Sequence, residues 1–486
     1  MVLRKRLTPF FTAVLLGGAL LFHPASATEN MSEPKSGVQQ IAQAESSVPQ
    51  ATPPASPAPE SAPAAAAKID SGDTAWMLVS TALVLLMTIP GLALFYAGMV
   101  RKKNILTVLS QSFATTAVIA VLWAVIGYSL SFGNGFSGGT AYLGDFSRAF
   151  LGGMDVNEPF TLGKGTAAAV PFTIPESVFM MFQMTFAIIT PALIAGSIAD
   201  RMKFSAYLWF ITLWSLLVYA PVAHWVWHPN GFLFADGVLD FAGGTVVHIN
   251  AGISGLVAAL VLGKRLGYPA EQAPPYNLLY AMVGASLLWV GWFGFNAGSA
   301  GAANGRAGMA MTVTMLAAAA ATVTWMLAEW SVSGKPSLLG MVSGAVAGLV
   351  AITPASGYVD SVGGLAIGGL AGVVCYWSVS VLKPKLGYDD TLDCFGVHGI
   401  AGFLGAILTG VFATSAVTGA TSPVGLIDGN AKQLLLQFEG AAITIIYAGV
   451  VSFILLKLID AVIGLRVSQE VERDGLDHSL HGQSIS

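Results

Sequence analysis

From Asp73 onward, apolar residues fill stretches of about 20 positions, long enough to cross a hydrocarbon layer of about 30 Å as helices. The length rule gives about eleven such stretches, near 74–98, 105–130, 173–199, 204–224, 244–263, 276–297, 306–332, 337–356, 361–382, 394–414 and 433–464. This pattern predicts an all-α integral membrane protein with eleven transmembrane helices.

Three short frames recur in the same order along the chain. Gly91-Leu-Ala-Leu-Phe95-Tyr-Ala97-Gly98 returns as Gly291-Trp-Phe-Gly-Phe295-Asn-Ala297-Gly298, and Ile189-Thr190-Pro191-Ala192 returns as Ile352-Thr353-Pro354-Ala355. Val247-His248-Ile-Asn-Ala251-Gly252 returns as Val397-His398-Gly-Ile-Ala401-Gly402. The frames fall on spans one, three and five and then on six, eight and ten. Partners five spans apart cross in opposite directions, so the repeat is inverted (1–5 and 6–10), and a long eleventh helix is left outside it as a brace. Inverted repeats of this kind place a substrate path between the halves near the bilayer midplane, where the two histidines would meet.

The N-terminal residues read differently. Arg4-Lys5-Arg6, an apolar run from Phe10 to Phe22 and Ala25-Ser26-Ala27 have the three parts of a cleavable signal peptide over 1–27, because the apolar run is too short to span comfortably. Residues 28–70, rich in Pro, Ala, Ser and Gln, cannot bury a core and read as an exported disordered linker. The eleven-helix membrane domain then covers 71–464 and a charged tail 465–486. Alternate connections carry the basic residues: Arg101, Lys102 and Lys103; Arg201 and Lys203; Lys264 and Arg265; Lys335; Lys383 and Lys385; then Arg466 and Arg473. The opposite connections hold Arg148, Lys164, Arg306 and Lys432. Basic loops stay cytoplasmic, so the N-terminus is expected outside and the tail inside, in a cell (inner) membrane.

Charged residues make up only 10% of the chain, against roughly 25% in soluble domains, which agrees with a lipid bilayer as solvent. Net charge is −4 with no basic stretch interleaved with aromatics, which argues against a nucleic-acid partner. Cys375 and Cys394 have no CxxC spacing and define no disulfide framework. Gly and Ala stripes such as Gly340, Gly344 and Gly348 suit close helix packing, and Pro90, Pro191 and Pro354 suit kinks tolerated by neighbouring helices.

The remaining polar groups carry the chemistry. His248 and His398 at membrane depth are costly unless paired or lining a polar path. Asp240, just ahead of the fifth span, is expected at a helix end, since an ionised Asp at a helix centre costs roughly 3 kcal/mol. There it either caps backbone N–H groups or stabilises an arriving cation. Trp225 and Trp227 flank the outer end of span four beside His228, and Phe182 and Phe186 lie on span three. Any single one of these reads first as a belt anchor, yet aromatic faces also hold desolvating cations at about 0.5–2 kcal/mol each. Ser299 could supply one accepting hydroxyl.

Together these residues resemble the ammonium transporter (Amt/Mep/Rh) family, on its bacterial side. The similarity is carried by Asp240-Phe-Ala-Gly-Gly-Thr-Val-Val-His248, by Gly291 to Gly301, by Gly334-Lys-Pro-Ser-Leu-Leu-Gly340 and by Asp393-Cys-Phe-Gly-Val-His398-Gly. It runs from about residue 73 into the tail. The resemblance implies a homotrimer with one pore per subunit and an outer recruitment site of Phe186, Trp227 and Ser299, supported by Asp240. It also implies a stacked phenyl gate of Phe182 and Phe295, and His248 with His398 as the pore pair and proton relay. The Trp227-to-Asp240 loop departs from the family pattern through His228-Pro229-Asn230. The tail, otherwise a solvated end, resembles the family's in its Gly464-Leu-Arg466 and Arg473-Asp-Gly-Leu-Asp477 elements. The family's tail packs beneath the pores, and a P-II-type signalling protein is a partner the resemblance brings with it.

The physics fits ammonium or methylammonium as substrate. Ammonium matches potassium in size and charge, but it can shed a proton and cross an apolar constriction as neutral ammonia, which avoids dehydrating an intact ion. Two apposed imidazoles, sharing one proton, can take up and relay the one it sheds. A transporter rather than an enzyme is expected, with no cofactor and no metal, since two histidines without a third ligand fall short of a zinc site. The alternatives are a Rhesus-type neutral gas channel, which would relax the cation site, and an ammonium sensor, which would normally append a signalling domain.

Overall fold

The computed structural model describes residues 68–485 apart from 136–140, 167, 272–273 and 420–422. The predicted signal peptide, and all but the last three residues of the predicted linker, lie outside the described residues.

Among the described residues, ten helices are long and apolar enough to cross a membrane and one more is apolar but shorter, eleven in all. They are α1 (Ser71–Met99), α2 (Lys102–Phe132), α3 (Glu176–Ile198), α4 (Phe204–Asp236), α5 (Gly244–Leu262) and α6 (Leu278–Gly298). After these come α7 (Gly305–Ser333), the shorter α8 (Leu338–Ile352), α9 (Ser361–Leu386), α10 (Phe395–Phe412) and α11 (Lys432–Ile463). The predicted all-α membrane architecture is the observed one, with every span recovered. Helix starts are set by side-chain caps where the sequence offers them: Asp70 accepts from Asp73 N–H, Asn277 from Leu279, Asn304 from Ala307, Ser337 from Gly340 and Asp360 from Gly363.

The three prolines behave differently. Pro90 stands where α1 breaks, with Ile89 out of helical conformation, because proline removes a donor and crowds the preceding turn. Pro191 is carried within α3. Pro354 lies beyond the end of α8, in the turn to α9, so the stretch predicted to run to 356 is a helix only to Ile352. The hydropathy pattern does not foretell one feature: between α2 and α3 the chain forms an antiparallel hairpin of β1 (Pro159–Leu162) and β2 (Val170–Pro175).

The two histidine frames are built alike. Both histidines lie in a π-helical first turn, Gly244–Ile249 of α5 and Phe395–Gly399 of α10. The frame's glycine explains how the two halves meet. A Cβ on Gly252 would collide with the backbone of Gly399, and one on Gly402 would sit 2.9 Å from Cβ of His248. Each half therefore uses the glycine four residues past its own histidine to let the other half's histidine turn approach.

The end of the molecule bearing the basic loops is tied by ion pairs. Asp200 meets Arg101 at 3.1 Å and Arg265 at 3.4 Å, Arg265 meets Asp389 at 2.8 Å, and Lys383 meets Asp393 at 2.6 Å. Burial raises the Asp389 carboxyl, but the hydrogen bonds and charge of Arg265, with the charge of Arg201, outweigh that and hold it below its ordinary value. The tail joins this network instead of trailing into solvent. Glu472 bridges Arg466 at 2.8 Å and accepts from Leu266 N–H. Two short helices follow, α12 (Gln469–Asp474) and α13 (Leu476–His481). Asp477 of α13 accepts from the backbone of Leu106 and Thr107 and from the Thr107 hydroxyl, capping the first turn of α2.

Candidate functional site

α3 enters at Glu176, and its face repeats every four residues, which stacks Phe182 above Phe186 with ring centroids 4.9 Å apart at 64°. Phe186 meets the Trp227 ring edge-on at 5.7 Å and 88°. Together with Ser299 and Phe241 these rings line a cavity of about 140 Å³. Trp227 is held by its indole N–H, which donates to the backbone oxygen of Asp240 at 2.9 Å. The Ser299 hydroxyl donates to the Phe295 carbonyl at 2.8 Å, which leaves its oxygen lone pairs able to accept. The loop after Trp227 closes locally, with Asn230 N–H donating to His228 Nδ1 at 3.1 Å.

Asp240 acts as a cap. One carboxylate oxygen accepts from Gly243 and Gly244 N–H at 2.9 and 2.6 Å, the other from Thr245 and Val246 at 2.9 and 3.0 Å. Burial lifts this carboxyl above its ordinary value, and the four N–H bonds work against that lift. Both carboxylate oxygens are thus engaged at the head of α5, and it is the backbone carbonyl of Asp240 that touches the cavity wall by holding Trp227.

The phenyl pair implied by the resemblance is Phe182 with Phe295, but the α3 ring against Phe295 is that of Phe186. Phe295 lies against Phe186, 4.2 Å between centroids at 32°, while Phe182 sits one turn nearer the hairpin beside Gly298 and Ser299. Phe182 and Phe186 share one helix face, so the sequence could not say which of them meets Phe295.

Beyond the Phe186–Phe295 pair comes His248, its ring 6.0 Å from that of Phe295 and 5.4 Å from that of Trp292. His248 and His398 face one another with their Nδ1 atoms 3.3 Å apart and their rings 5.3 Å apart at 20°. Both are buried, at 1% and 4% exposure. One Nδ1 must donate and the other accept, so the pair holds one shared proton between the rings and presents one Nε2 acceptor and one Nε2–H donor elsewhere. Nε2 of His248 has no hydrogen-bond partner among the described residues. On the far side, His398 borders a second cavity of about 40 Å³ lined also by Phe95, Tyr96, Trp325 and Asp393. Phe95 is the repeat counterpart of Phe295. Cavity, phenyl pair, imidazole pair and second cavity thus follow one another in a line.

The sequence pattern did not single out Trp292, which stacks on His248 and donates to the Thr353 hydroxyl at 2.9 Å. Its signal was present, since it lies three residues before Phe295 and so on the same helix face. Among the described residues, no group of three or more His, Cys, Asp or Glu is placed to hold a metal ion.

Residues 75–485 match the model of the Ammonium Transporter Family. The chain belongs to that family. An ammonium transporter of Aquifex aeolicus is 50% identical over 420 residues, covering 86% of this chain and 94% of that one. The crystal structure of Saccharomyces cerevisiae Mep2 superposes with a TM-score of 0.75 at 34% identity, covering 83% of this chain and 89% of Mep2. A sensor Amt protein superposes with a TM-score of 0.76 at 25% identity, covering 84% and 98%. The family match begins within α1, runs through the other ten helices and takes in the tail that docks on α2.

Proposed function

We propose that this ammonium transporter family member recruits ammonium or methylammonium in the aromatic cavity and passes ammonia between Phe186 and Phe295 and along the two histidines, the imidazole pair accepting and relaying the proton that the guest gives up. The observation that carries this reading is the Nδ1-to-Nδ1 contact of His248 and His398 in a buried, aromatic-walled line. In the cavity the cation would lie against Phe182 and Trp227, with Ser299 as acceptor, each ring contributing about 0.5–2 kcal/mol. Phe186 and Phe295 form the barrier that a hydrated potassium ion cannot pass. The imidazole pair then supplies a donor and an acceptor in place of water, and returns a proton to the ammonia beyond. Asp240 positions Trp227.

The rest of the proposal follows the same family reading. Residues 1–27 are removed, 28–70 are an exported linker, and the basic end of the molecule, tail included, faces the cytoplasm of a cell (inner) membrane. The assembly is a homotrimer, and a P-II-type protein meets its cytoplasmic face. The likeness to a sensor Amt protein keeps sensing as a second reading. The test is methylammonium uptake into proteoliposomes by wild type and His248→Ala. Uptake by wild type and a loss of about tenfold or more in the correctly assembled variant are expected. Equal uptake by both would remove the histidines from the path.

A further inference from the structure

Arg306 sets a fixed positive charge directly behind the wall of the cavity proposed to attract cations, which is the wrong sign for that task. It stands half-buried in the first turn of α7. Its guanidinium carbon lies 5.1 Å from the centroid of Phe241 and 4.8 Å from that of Tyr358. Those two rings meet edge to face at 5.6 Å and 78°, and Nε of Arg306 donates to the Gly357 carbonyl at 2.7 Å. The arrangement needs glycine at 357, where a Cβ would collide with the Phe241 ring. A planar guanidinium can cover two ring faces while donating in its own plane, whereas a lysine ammonium would have to choose among them.

Phe241 connects this cluster to the site. It lines the outer cavity with Trp227 and Ser299, and its amide donates to the Pro354 carbonyl at 3.1 Å. It also follows Asp240 directly, whose carbonyl accepts the Trp227 indole N–H. Anything that fixes Phe241 therefore fixes both one wall of the cavity and the anchor of Trp227. We propose that Arg306 is a positioning residue for the outer cation site, clamping Phe241 and through it Trp227, with the two rings and the Gly357 carbonyl taking up its charge. The inference rests on the outer-site reading above.

The experiment compares methylammonium uptake kinetics of the wild-type protein, Arg306→Gln, Arg306→Lys, Phe241→Leu and the Arg306→Gln/Phe241→Leu double variant in proteoliposomes. Arg306→Gln is expected to raise KM about threefold to tenfold with Vmax held within about twofold, and Arg306→Lys to recover part of that rise. Phe241→Leu should raise KM on its own, and the double variant should add little beyond either single one, since both act through one contact. An unchanged KM in Arg306→Gln would overturn the proposal, as would a lowered KM, which would mean that charge repulsion outweighs the clamp. Fully additive effects in the double variant, or a fall in Vmax matching the rise in KM, would overturn it too. If Arg306→Gln does not assemble, Arg306→Lys decides alone, with a raised KM in support and a wild-type KM against. Wild-type protein that takes up no methylammonium would instead sink the outer-site reading itself.

Discussion

The two imidazoles can meet because two glycines allow it. Gly252 and Gly402 hold equivalent places in the repeated frame, and each packs against the histidine turn of the other half. The cost of disturbing this is geometric, since a ring moved by about 1 Å in a site that works by alignment can lose two orders of magnitude in rate. Gly402→Ala, which brings a methyl to 2.9 Å from His248 Cβ, is therefore expected to cut methylammonium uptake by about tenfold with assembly retained. Uptake at the wild-type rate in that variant would show that the pair tolerates displacement and does not depend on alignment. At this scale much was legible in the sequence. His248 and His398 stood out as polar groups at membrane depth, and Asp240, Trp227 and Ser299 were candidates from their residue types, with their places in one site implied by the family resemblance. The sequence did not resolve contacts that depend on depth along a shared face: Phe182 against Phe186, and the stacking of Trp292. Nor could it show that both Asp240 oxygens are consumed by backbone N–H groups.

Secondary elements were readable wherever length and hydropathy decide, as they do for all eleven helices. They were not readable where a short segment is fixed by its neighbours. The β1–β2 hairpin has strands of four and six residues and carries Pro159, Pro171 and Pro175, so no alternating pattern marks it. The tail was likewise ambiguous, because charged residues near a terminus suit solvent as well as a docking site. Its bonds settle its place on α2. Asp477→Ala should remove the cap of that helix, worth about 1–2 kcal/mol, and so speed amide exchange at Leu106 and Thr107 by about fivefold to thirtyfold. Unaltered exchange there would mean the tail does not hold the helix start. The ion-pair network beneath has a defined pH response. The Asp389 carboxyl is held below its ordinary value of 3.8, so its contribution is complete above that value and is lost as pH falls through the lower, folded-state value.

For the whole molecule, the inverted repeat was the most informative feature of the sequence, because three frames in matched order predicted opposed halves and, between them, the meeting of the histidines that the structure shows. The pseudo-symmetry extends to features that no single frame displays: a cavity on each side of the pair, with Phe295 bordering one approach and Phe95 the other. The two sides nonetheless differ. The cavity beyond Phe186 carries Trp227 and Ser299, while the one beyond His398 has Asp393, tied to Lys383. Such asymmetry suits capture of a cation on one side and release on the other.

The central claim is that ammonium gives up its proton, which the imidazole pair relays while ammonia crosses. It is tested most directly by charge movement in proteoliposomes given an ammonium pulse, with an equal potassium pulse as control. The expected result is a current with ammonium, none with potassium, and no ammonium current in His248→Ala. Ammonia flux without any current in the wild type, or a potassium current equal to that with ammonium, would contradict the claim.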